Sequence, residues 1–300
     1  MNKEKISIIM PVYNAEAHLA EALESLRAQT FQGWECICIN DGSKDTSADI
    51  LDRFSSADPR FCAVHQENAG PSAARNRGLE LVRTPWFIFM DSDDTFHPDA
   101  LSTLLDVAKC NSADVVTAGY EREPDRLSCS GKAYVYDDPV RRMVNDKRWR
   151  GEPWARLMLT ERFADVRFVL KYHEDVGWLT AAMARSRREV VLDAPLYYYR
   201  PTANSFSNRP DYDAALPKLW RYQAEVCPAL KPRLGEIAYA RWKRHPDELK
   251  ASDLYRLYKD GVVSFKRLSA SKHIRLYAAL ALETFRCHFG KTSRAGNVDS

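Results

Sequence analysis

The first 120 residues alternate short apolar segments with segments of helical periodicity, and this alternation constrains the fold most strongly. The first apolar run, Ile6–Val12, has the length and composition of a buried strand. Further strand-like segments lie at residues 34–40, 61–65, 86–90 and 115–120, and helix-like segments at 46–54, 71–82 and 98–108. Asn14 is placed to cap the first helix, which carries Leu19, Leu23 and Leu26. The alternation predicts an α/β fold with a mostly parallel sheet flanked by helices.

The pattern weakens after residue 121, where prolines interrupt the chain and no regular elements can be assigned before residue 175. A helix at 175–184 and an apolar segment at 190–192 return to the core. Residues 211–300 contain 17 Lys/Arg and 10 Asp/Glu, a net charge of +7, whereas residues 1–210 carry −4. We therefore predict a catalytic-type domain over residues 1–209 and a basic, helical C-terminal region over 210–300.

The composition is that of a soluble globular protein, with 45% hydrophobic and 28% charged residues. Seven cysteines without a C-x-x-C pair argue against a zinc module or a disulfide framework, and Cys36 and Cys38 are expected to be small core residues. The N-terminal apolar run is too short for a signal sequence, and no run approaches 18 apolar residues. These features predict a cytoplasmic protein.

Polar residues follow each of the first four predicted strands. They are Asn14, Asp41, Asn68, and the pair Asp91 and Asp93. In an open parallel sheet, ligands bind outside the carboxyl ends of the strands. The sequence therefore predicts a ligand site at this edge of the sheet.

Asp91 and Asp93 are separated by one residue directly after an apolar strand. Two such carboxylates can turn to the same side and hold Mg²⁺ or Mn²⁺, which neutralises a departing diphosphate. Acids in loops also cap helices, and both readings are open at this stage. The same holds for Asp41, which precedes Gly42 and Ser43 and either forms a turn or accepts a hydrogen bond from a base imide.

Two further groups are candidates for chemistry. Arg75, close to a predicted helix start, either faces solvent or binds a diphosphate. Glu174 and Asp175 supply carboxylates that could take a proton from an attacking hydroxyl. His173 beside them is either structural or a ligand or base.

Taken together, these motifs resemble those of family 2 glycosyltransferases, which have the GT-A type fold. The matching residues, over roughly residues 5–207, are Ser7 to Asn14 with Glu16, Ser25-Leu26, Gln29-Thr30, Asn40 to Ser43, Asp45 to Ser47, Gln66 to Ser72, Ala74 to Gly78, Asp91 to Asp94, His173 to Val176, Tyr199-Arg200 and Ser205. The ordered set is specific, although each motif alone is not.

The resemblance implies a role for each matching residue. Pro11, Val12, Asn14 and Glu16 would line the nucleoside pocket, Asp41 would contact the base, Asn68 and Arg75 would lie near the base and diphosphate, Asp91 and Ser92 would approach the nucleotide, and Asp93 with Asp91 would bind the metal. Asp175 would be the general base and Glu174 would place it or contact the acceptor. Trp154 resembles an aromatic position near the acceptor cleft, with core packing as the alternative.

The resemblance also implies an inverting, Mn²⁺- or Mg²⁺-dependent transfer from a nucleotide diphosphate donor, with a UDP-sugar as the expected class. The acceptor would be a glycan or lipid-linked glycan in bacterial lipopolysaccharide, capsule or other surface polysaccharide synthesis. A helix at 270–289 with apolar and basic positions is expected either to contact the inner membrane surface or to pack on the protein.

Four other classes were weighed. A dehalogenase-type phosphatase would place its D-x-D motif on the first strand, and a dinucleotide oxidoreductase would carry G-x-G-x-x-G after it. A nucleotide-binding protein without activity would not need Asp91, Asp93 and Asp175 together. The basic tail has no recognisable nucleic-acid motif, so no nucleic-acid partner is expected.

Overall fold

The computed structural model describes residues 4–122, 131–146, 151–201 and 215–230. The chain divides into two compact units, Met1–Phe206 and Ser207–Ser300. All the predicted site residues belong to the first unit. The role predicted for the second unit stays a prediction.

The first half of the first unit is a parallel α/β arrangement. Its elements are β1 (Ile6–Val12), α1 (Leu19–Arg27), β2 (Trp34–Asp41), α2 (Ser47–Ala57), β3 (Phe61–Gln66), α3 (Pro71–Leu81) and β4 (Trp86–Phe89). These four strands are all parallel, in the order β3-β2-β1-β4. The carboxyl ends of all four strands therefore lie at one edge of the sheet, as the strand pattern predicts.

The second half extends the same sheet with mixed pairing. Its elements are β5 (Thr95–Phe96), α4 (Ala100–Asn111), β6 (Val115–Glu121), β7 (Ala133–Tyr136), α5 (Pro139–Asn145), β8 (Arg156–Leu159), α6 (Thr160–Phe163), α7 (Glu174–Met183) and β9 (Glu189–Tyr198). The order continues as β4-β8-β6-β9-β5, with β7 also on β9. Among the described strands of this half, only β6 and β9 pair in parallel. The α/β fold is confirmed, and its parallel character is concentrated in β1 to β4.

The core explains why the early strands could be recognised. Ile6, Ile8 and Ile9 of β1 are completely buried, because both faces of the sheet are covered. Cys36 and Cys38 are also buried, so the prediction that they are small core residues is confirmed.

The second unit contributes one described helix, α8 (Leu216–Val226), and a 3-10 turn at Pro228–Leu230. The helix predicted at 270–289 and the motif residue Ser205 lie outside the described residues. Within the described ranges, no helix is both long enough and apolar enough to cross a membrane.

Candidate active site

The loops after β1 and β2 are joined by reciprocal hydrogen bonds. The backbone N–H of Asn14 donates to the Ser43 hydroxyl at 3.1 Å, and the Asn14 side-chain oxygen accepts from the N–H of Lys44 at 2.8 Å. The prediction that Asn14 caps α1 is wrong, because α1 begins at Leu19 with His18 at its cap. Asn14 has a left-handed backbone, φ = +50°, and uses its amide oxygen across the loops instead.

Glu16 strengthens the same junction. One of its carboxylate oxygens accepts from both the N–H and the hydroxyl of Thr46, at 3.1 and 2.8 Å. Val12 at the end of β1 is buried and Pro11 partly buried, whereas Tyr13 is 49% exposed beside them. The structure thus brings Pro11, Val12, Asn14 and Glu16 to one edge, as the sequence predicts.

The buried carboxylate of Asp41 shapes the loop that leads into α3. One oxygen accepts from the Gln66 side chain at 2.8 Å and from the N–H of Ala69 at 2.9 Å, and the other accepts from the N–H of Gly70 at 2.8 Å. The Asn68 amide donates to the backbone oxygen of Asp41 at 2.9 Å. Asp41 and Asn68 therefore lie together, and Asp41 already has three protein donors.

Arg75 links two of the predicted functional groups. Its guanidinium, in α3, donates to Glu174 Oε1 at 3.0 Å and to Asp91 Oδ1 at 3.2 Å. Burial disfavours its charge, but the carboxylates of Asp91, Glu174 and Asp175 outweigh this and raise the pKa of Arg75. The Arg75 guanidinium thereby joins the turn after β4 to the start of α7. Asp91 and Glu174 are 83 residues apart in the chain.

The turn after β4 concentrates negative charge. Burial, followed by the charge of Asp91, raises the pKa of Asp93 above its usual range. Asp94 is completely buried, and burial with the Asp91 charge raises its pKa to about 8. Ser92 lies between the two predicted metal ligands and is partly buried.

Tyr197 of β9 and Arg200, two residues beyond the end of β9, hold this turn. The Tyr197 hydroxyl donates to Asp94 Oδ2 at 2.6 Å and accepts from the N–H of Asp91 at 3.1 Å. The backbone N–H of Arg200 donates to Asp94 Oδ1 at 2.8 Å, and its side chain donates to the Asp93 backbone oxygen at 3.0 Å. From the sequence, Arg200 is named only as part of a matching motif and is given no role, and no periodicity marks Tyr197 as functional.

Asp91, Ser92 and Asp93 supply the oxygen atoms after β4 that could bind Mg²⁺ or Mn²⁺. No cluster of three or more His, Cys, Asp or Glu side chains suited to a metal occurs in the part of the chain that the structure describes. The ions of this class commonly take one or two carboxylates and complete their shell with substrate phosphates and water. Two partly exposed, mutually repelling carboxylates, Asp91 and Asp93, fit that requirement.

Asp175 lies in the first turn of α7 and is partly exposed. Burial raises its pKa to about 7, with a further contribution from the charge of Glu174, while Arg75 acts in the opposite direction. Its Oδ1 accepts from the N–H of Val176 at 2.7 Å. A carboxyl group that titrates near neutral pH can exchange a proton with a substrate hydroxyl.

His173 and Trp154 are both buried and have roles in the local packing. His173 is buried at the cap of α7 with φ = +52°, a left-handed conformation that starts the helix. Trp154 is only 9% exposed and stacks on Tyr197 and Tyr199, with ring centroids 4.8 and 5.5 Å away. This favours the packing alternative for Trp154, although the stack reaches the turn of Asp91 through Tyr197.

The fold is that of the GT-A type glycosyltransferases. The family model for glycosyl transferase family 2 matches residues 7–165, and the chain belongs to this family.

Among relatives, the putative glycosyltransferase EpsH of Bacillus subtilis is 32% identical over 222 residues, which is 70% of this chain and 64% of EpsH. The chain thus matches slightly less than two thirds of that relative's length. Among solved structures, residues 1–349 of S. aureus TarS in complex with UDP-GlcNAc give a TM-score of 0.71 at 20% identity, covering 92% of this chain and 87% of that chain. The mannosyltransferase PcManGT from Pyrobaculum calidifontis, in complex with GDP-Man and Mn²⁺, gives 0.53 at 14% identity, covering 95% and 81%.

Proposed function

We propose that this chain transfers a sugar, with inversion at the anomeric carbon, from a UDP-sugar to a hydroxyl of a glycan. One observation carries the proposal. Arg75 bridges Asp91, in the carboxylate turn after β4, and Glu174, the neighbour of a carboxyl group that titrates near pH 7. A donor-side acidic turn and an acceptor-side base are thereby held next to each other.

On the donor side, the interlocked loops after β1 and β2 form the nucleoside pocket. Pro11, Val12, Asn14 and Glu16 line it, and Asp41 with Asn68 fixes the loop at its floor. The UDP-GlcNAc complex of TarS, which shares the fold, supports a UDP-sugar donor. Asp41 acts here through the loop, in addition to any hydrogen bond that it makes to the base.

Asp91 and Asp93 would hold Mn²⁺ or Mg²⁺, with Ser92 in the same turn beside the ribose and diphosphate. When bound, the cation would neutralise the charge that develops on the departing diphosphate. The Mn²⁺ complex of PcManGT supports this assignment by its shared fold. Arg75 cannot replace the cation, because two carboxylates already share its guanidinium.

On the acceptor side, Asp175 removes the proton of the attacking hydroxyl. The hydroxyl oxygen forms a bond to the anomeric carbon, the bond from that carbon to the diphosphate oxygen breaks, and UDP leaves with the bonding electrons. The proton passes to the Asp175 carboxylate, whose pKa of about 7 suits this transfer. Glu174 pairs with Arg75 at 3.0 Å and fixes the start of α7.

The acceptor proposed is a glycan or lipid-linked glycan of bacterial lipopolysaccharide, capsule or another surface polysaccharide, used on the cytoplasmic side of the membrane. The family resemblance supports this setting. The net charge of +7 over residues 211–300 supports peripheral contact with an anionic membrane surface.

The test is a proton NMR assay of the purified chain with UDP-glucose, UDP-galactose, UDP-GlcNAc and UDP-GalNAc, Mn²⁺ and a panel of saccharide acceptors. We expect UDP release from one donor and a product of β configuration from these α-linked donors. A product that keeps the α configuration would refute inversion. Binding of UDP without turnover of any donor, to an acceptor or to water, would favour a binding protein instead.

A further inference from the structure

The segment before Glu174 is bound tightly to two helices. We call residues 166–170 the strap. The indole N–H of Trp178, in α7, donates to the Val166 backbone oxygen at 3.0 Å. The Phe168 ring stacks on the Trp178 ring, with centroids 4.9 Å apart and planes 5° apart. The strap is therefore packed against the same helix that carries Asp175.

Asn76, in α3, holds the centre of the strap through both polar backbone groups of one residue. Its side-chain N–H donates to the Phe168 backbone oxygen at 2.9 Å, and its side-chain oxygen accepts from the Phe168 N–H at 2.8 Å. A primary amide can make this paired contact because its donor and acceptor lie side by side. One turn earlier, the Ser72 hydroxyl donates to the Leu170 backbone oxygen at 2.8 Å.

These contacts lie next to the ion pair that fixes Glu174. Arg75 precedes Asn76 in the chain and donates to Glu174 at 3.0 Å. Its guanidinium also lies over the Phe168 ring, 5.6 Å from the centroid. Successive residues of α3 therefore hold the strap and the first residue of α7, and Asp175 follows directly.

We propose that Asn76 is a positioning residue for Asp175. Asn76 fixes the backbone of Phe168 and thereby the strap. The strap in turn positions the first turn of α7, where Asp175 meets the acceptor hydroxyl. The proposal rests on the proposed function, which makes Asp175 the base. Among the described residues, the side chain of Asn76 bonds to Phe168 and not to the nucleoside loops, so its effect should fall on turnover and leave nucleotide binding unchanged.

The test compares Asn76→Ala with the matched control Thr84→Val. Thr84 is buried, whereas Asn76 is partly buried, and each makes two hydrogen bonds through its side chain. The Thr84 hydroxyl bonds to Ser7 at 2.7 Å and to the Trp86 backbone oxygen at 2.7 Å, and Thr84 lies two residues before β4, away from the site. Three quantities are measured on each variant: backbone hydrogen exchange over residues 166–177, the UDP dissociation constant with Mn²⁺, and kcat for UDP release from UDP-GlcNAc with water as acceptor.

We expect Asn76→Ala to increase exchange over 166–177 and to lower kcat by about 10- to 100-fold, because small misplacements of a catalytic group have effects of this size. The UDP dissociation constant should stay within about twofold, a change below 0.5 kcal/mol. Thr84→Val should change neither exchange over 166–177 nor kcat. If Asn76→Ala is too unstable to purify, Ser72→Ala should show the same pattern more weakly.

Unchanged exchange over 166–177 in both Asn76→Ala and Ser72→Ala would overturn the proposal, as would an equal loss of kcat in Thr84→Val. Equal losses in UDP affinity and kcat would also overturn it, since the effect would not be specific to the base. A wild-type chain that releases no UDP from any sugar donor would contradict the proposed function, while the exchange measurement would still test whether Asn76 holds the start of α7.

Discussion

At the scale of single residues, the site depends on a cation shared by two carboxylates. Arg75 pairs with both Asp91 and Glu174, and its charge lowers the pKa of Asp175 less than burial raises it. As a result, the carboxylates of Asp91 and Asp93 suit a metal, whereas the carboxyl group of Asp175 suits proton transfer. This division of roles follows from the different surroundings of the two acids.

The substitution Asp175→Asn removes the base while keeping the shape of the side chain. We expect kcat to fall by about 10²- to 10⁴-fold, the usual contribution of a general base. The UDP affinity should be unchanged, because in the described part of the chain Asp175 bonds to Val176 of its own helix and not to the nucleoside loops. Steady-state kinetics and calorimetry on the same preparation measure both, and a tenfold loss of UDP affinity would contradict the assignment.

The raised pKa of Asp175 also predicts opposite pH dependences for activity and stability. The base must be deprotonated, so the rate should rise with pH through about 7. In the folded state the group keeps its proton up to about pH 7, whereas in the unfolded chain it loses it near pH 4, so the free energy of unfolding should fall as pH rises across this interval.

Denaturant unfolding of wild type and Asp175→Asn at pH 5 and pH 8 tests the stability part. The Asn variant should gain stability relative to wild type at pH 8. The same difference at both pH values would show that Asp175 titrates in its ordinary range.

The residues that could be predicted are those whose side-chain type and position in a motif indicate a function without knowledge of the fold. Asp91, Asp93 and Asp175 could be proposed from spacing and resemblance, and the structure brings their loops together. Tyr197 could not, because a tyrosine in an apolar strand looks like core, and only its bond to Asp94 reveals what it holds. Asp41 could be named from the sequence, but its loop contacts could not, because its three donors come from 25 to 29 residues later in the chain.

At the scale of elements, β6, β8, β9 and α5 are joined by a buried charge network. Glu189 is completely buried and accepts hydrogen bonds from Thr117 at 2.7 Å, from Arg142 at 2.7 Å and from Arg156 at 3.2 Å. Both arginine side chains are more than nine-tenths buried. The network ties α5 to the mixed half of the sheet, where the strands are short.

The substitution Glu189→Ala should lower the free energy of unfolding by about 3–5 kcal/mol, because it leaves two buried guanidinium groups without their carboxylate. Glu189→Gln keeps the volume and an accepting oxygen, and should lose less. Urea unfolding of both variants measures the difference. Equal stability of Glu189→Ala and wild type would show that the network contributes nothing to the free energy of unfolding. The UDP affinity of each variant, measured without denaturant, checks that the site is intact.

The elements of the parallel half were predictable because β1, β2 and β4 are mostly buried and α1 and α2 each have one apolar face. β1, β2, β3 and β4 were therefore assigned within a residue or two. β7 and β8 were not, since they have four residues each and lie among prolines, in a segment without periodicity. Their positions are set by pairing with β9, β4 and β6, which is a tertiary effect.

At the scale of the whole molecule, charge is distributed unevenly along the chain, with −4 over residues 1–210 and +7 over 211–300. If the basic region contacts an anionic membrane, deletion of residues 250–300 should reduce co-sedimentation with vesicles that contain phosphatidylglycerol. The loss should be weaker at high salt, where the wild type also binds less. Unchanged sedimentation of the shortened chain would contradict a membrane role for these residues.

The central claim is that the turn of Asp91 and Asp93 binds a nucleotide diphosphate through a divalent cation. The most direct test is calorimetric titration of UDP and GDP, with and without Mn²⁺, into wild type and Asp93→Ala. We predict that UDP binds the wild type only with Mn²⁺, and that Mn²⁺ no longer promotes UDP binding to Asp93→Ala. Failure of both nucleotides to bind the wild type under either condition would contradict the account.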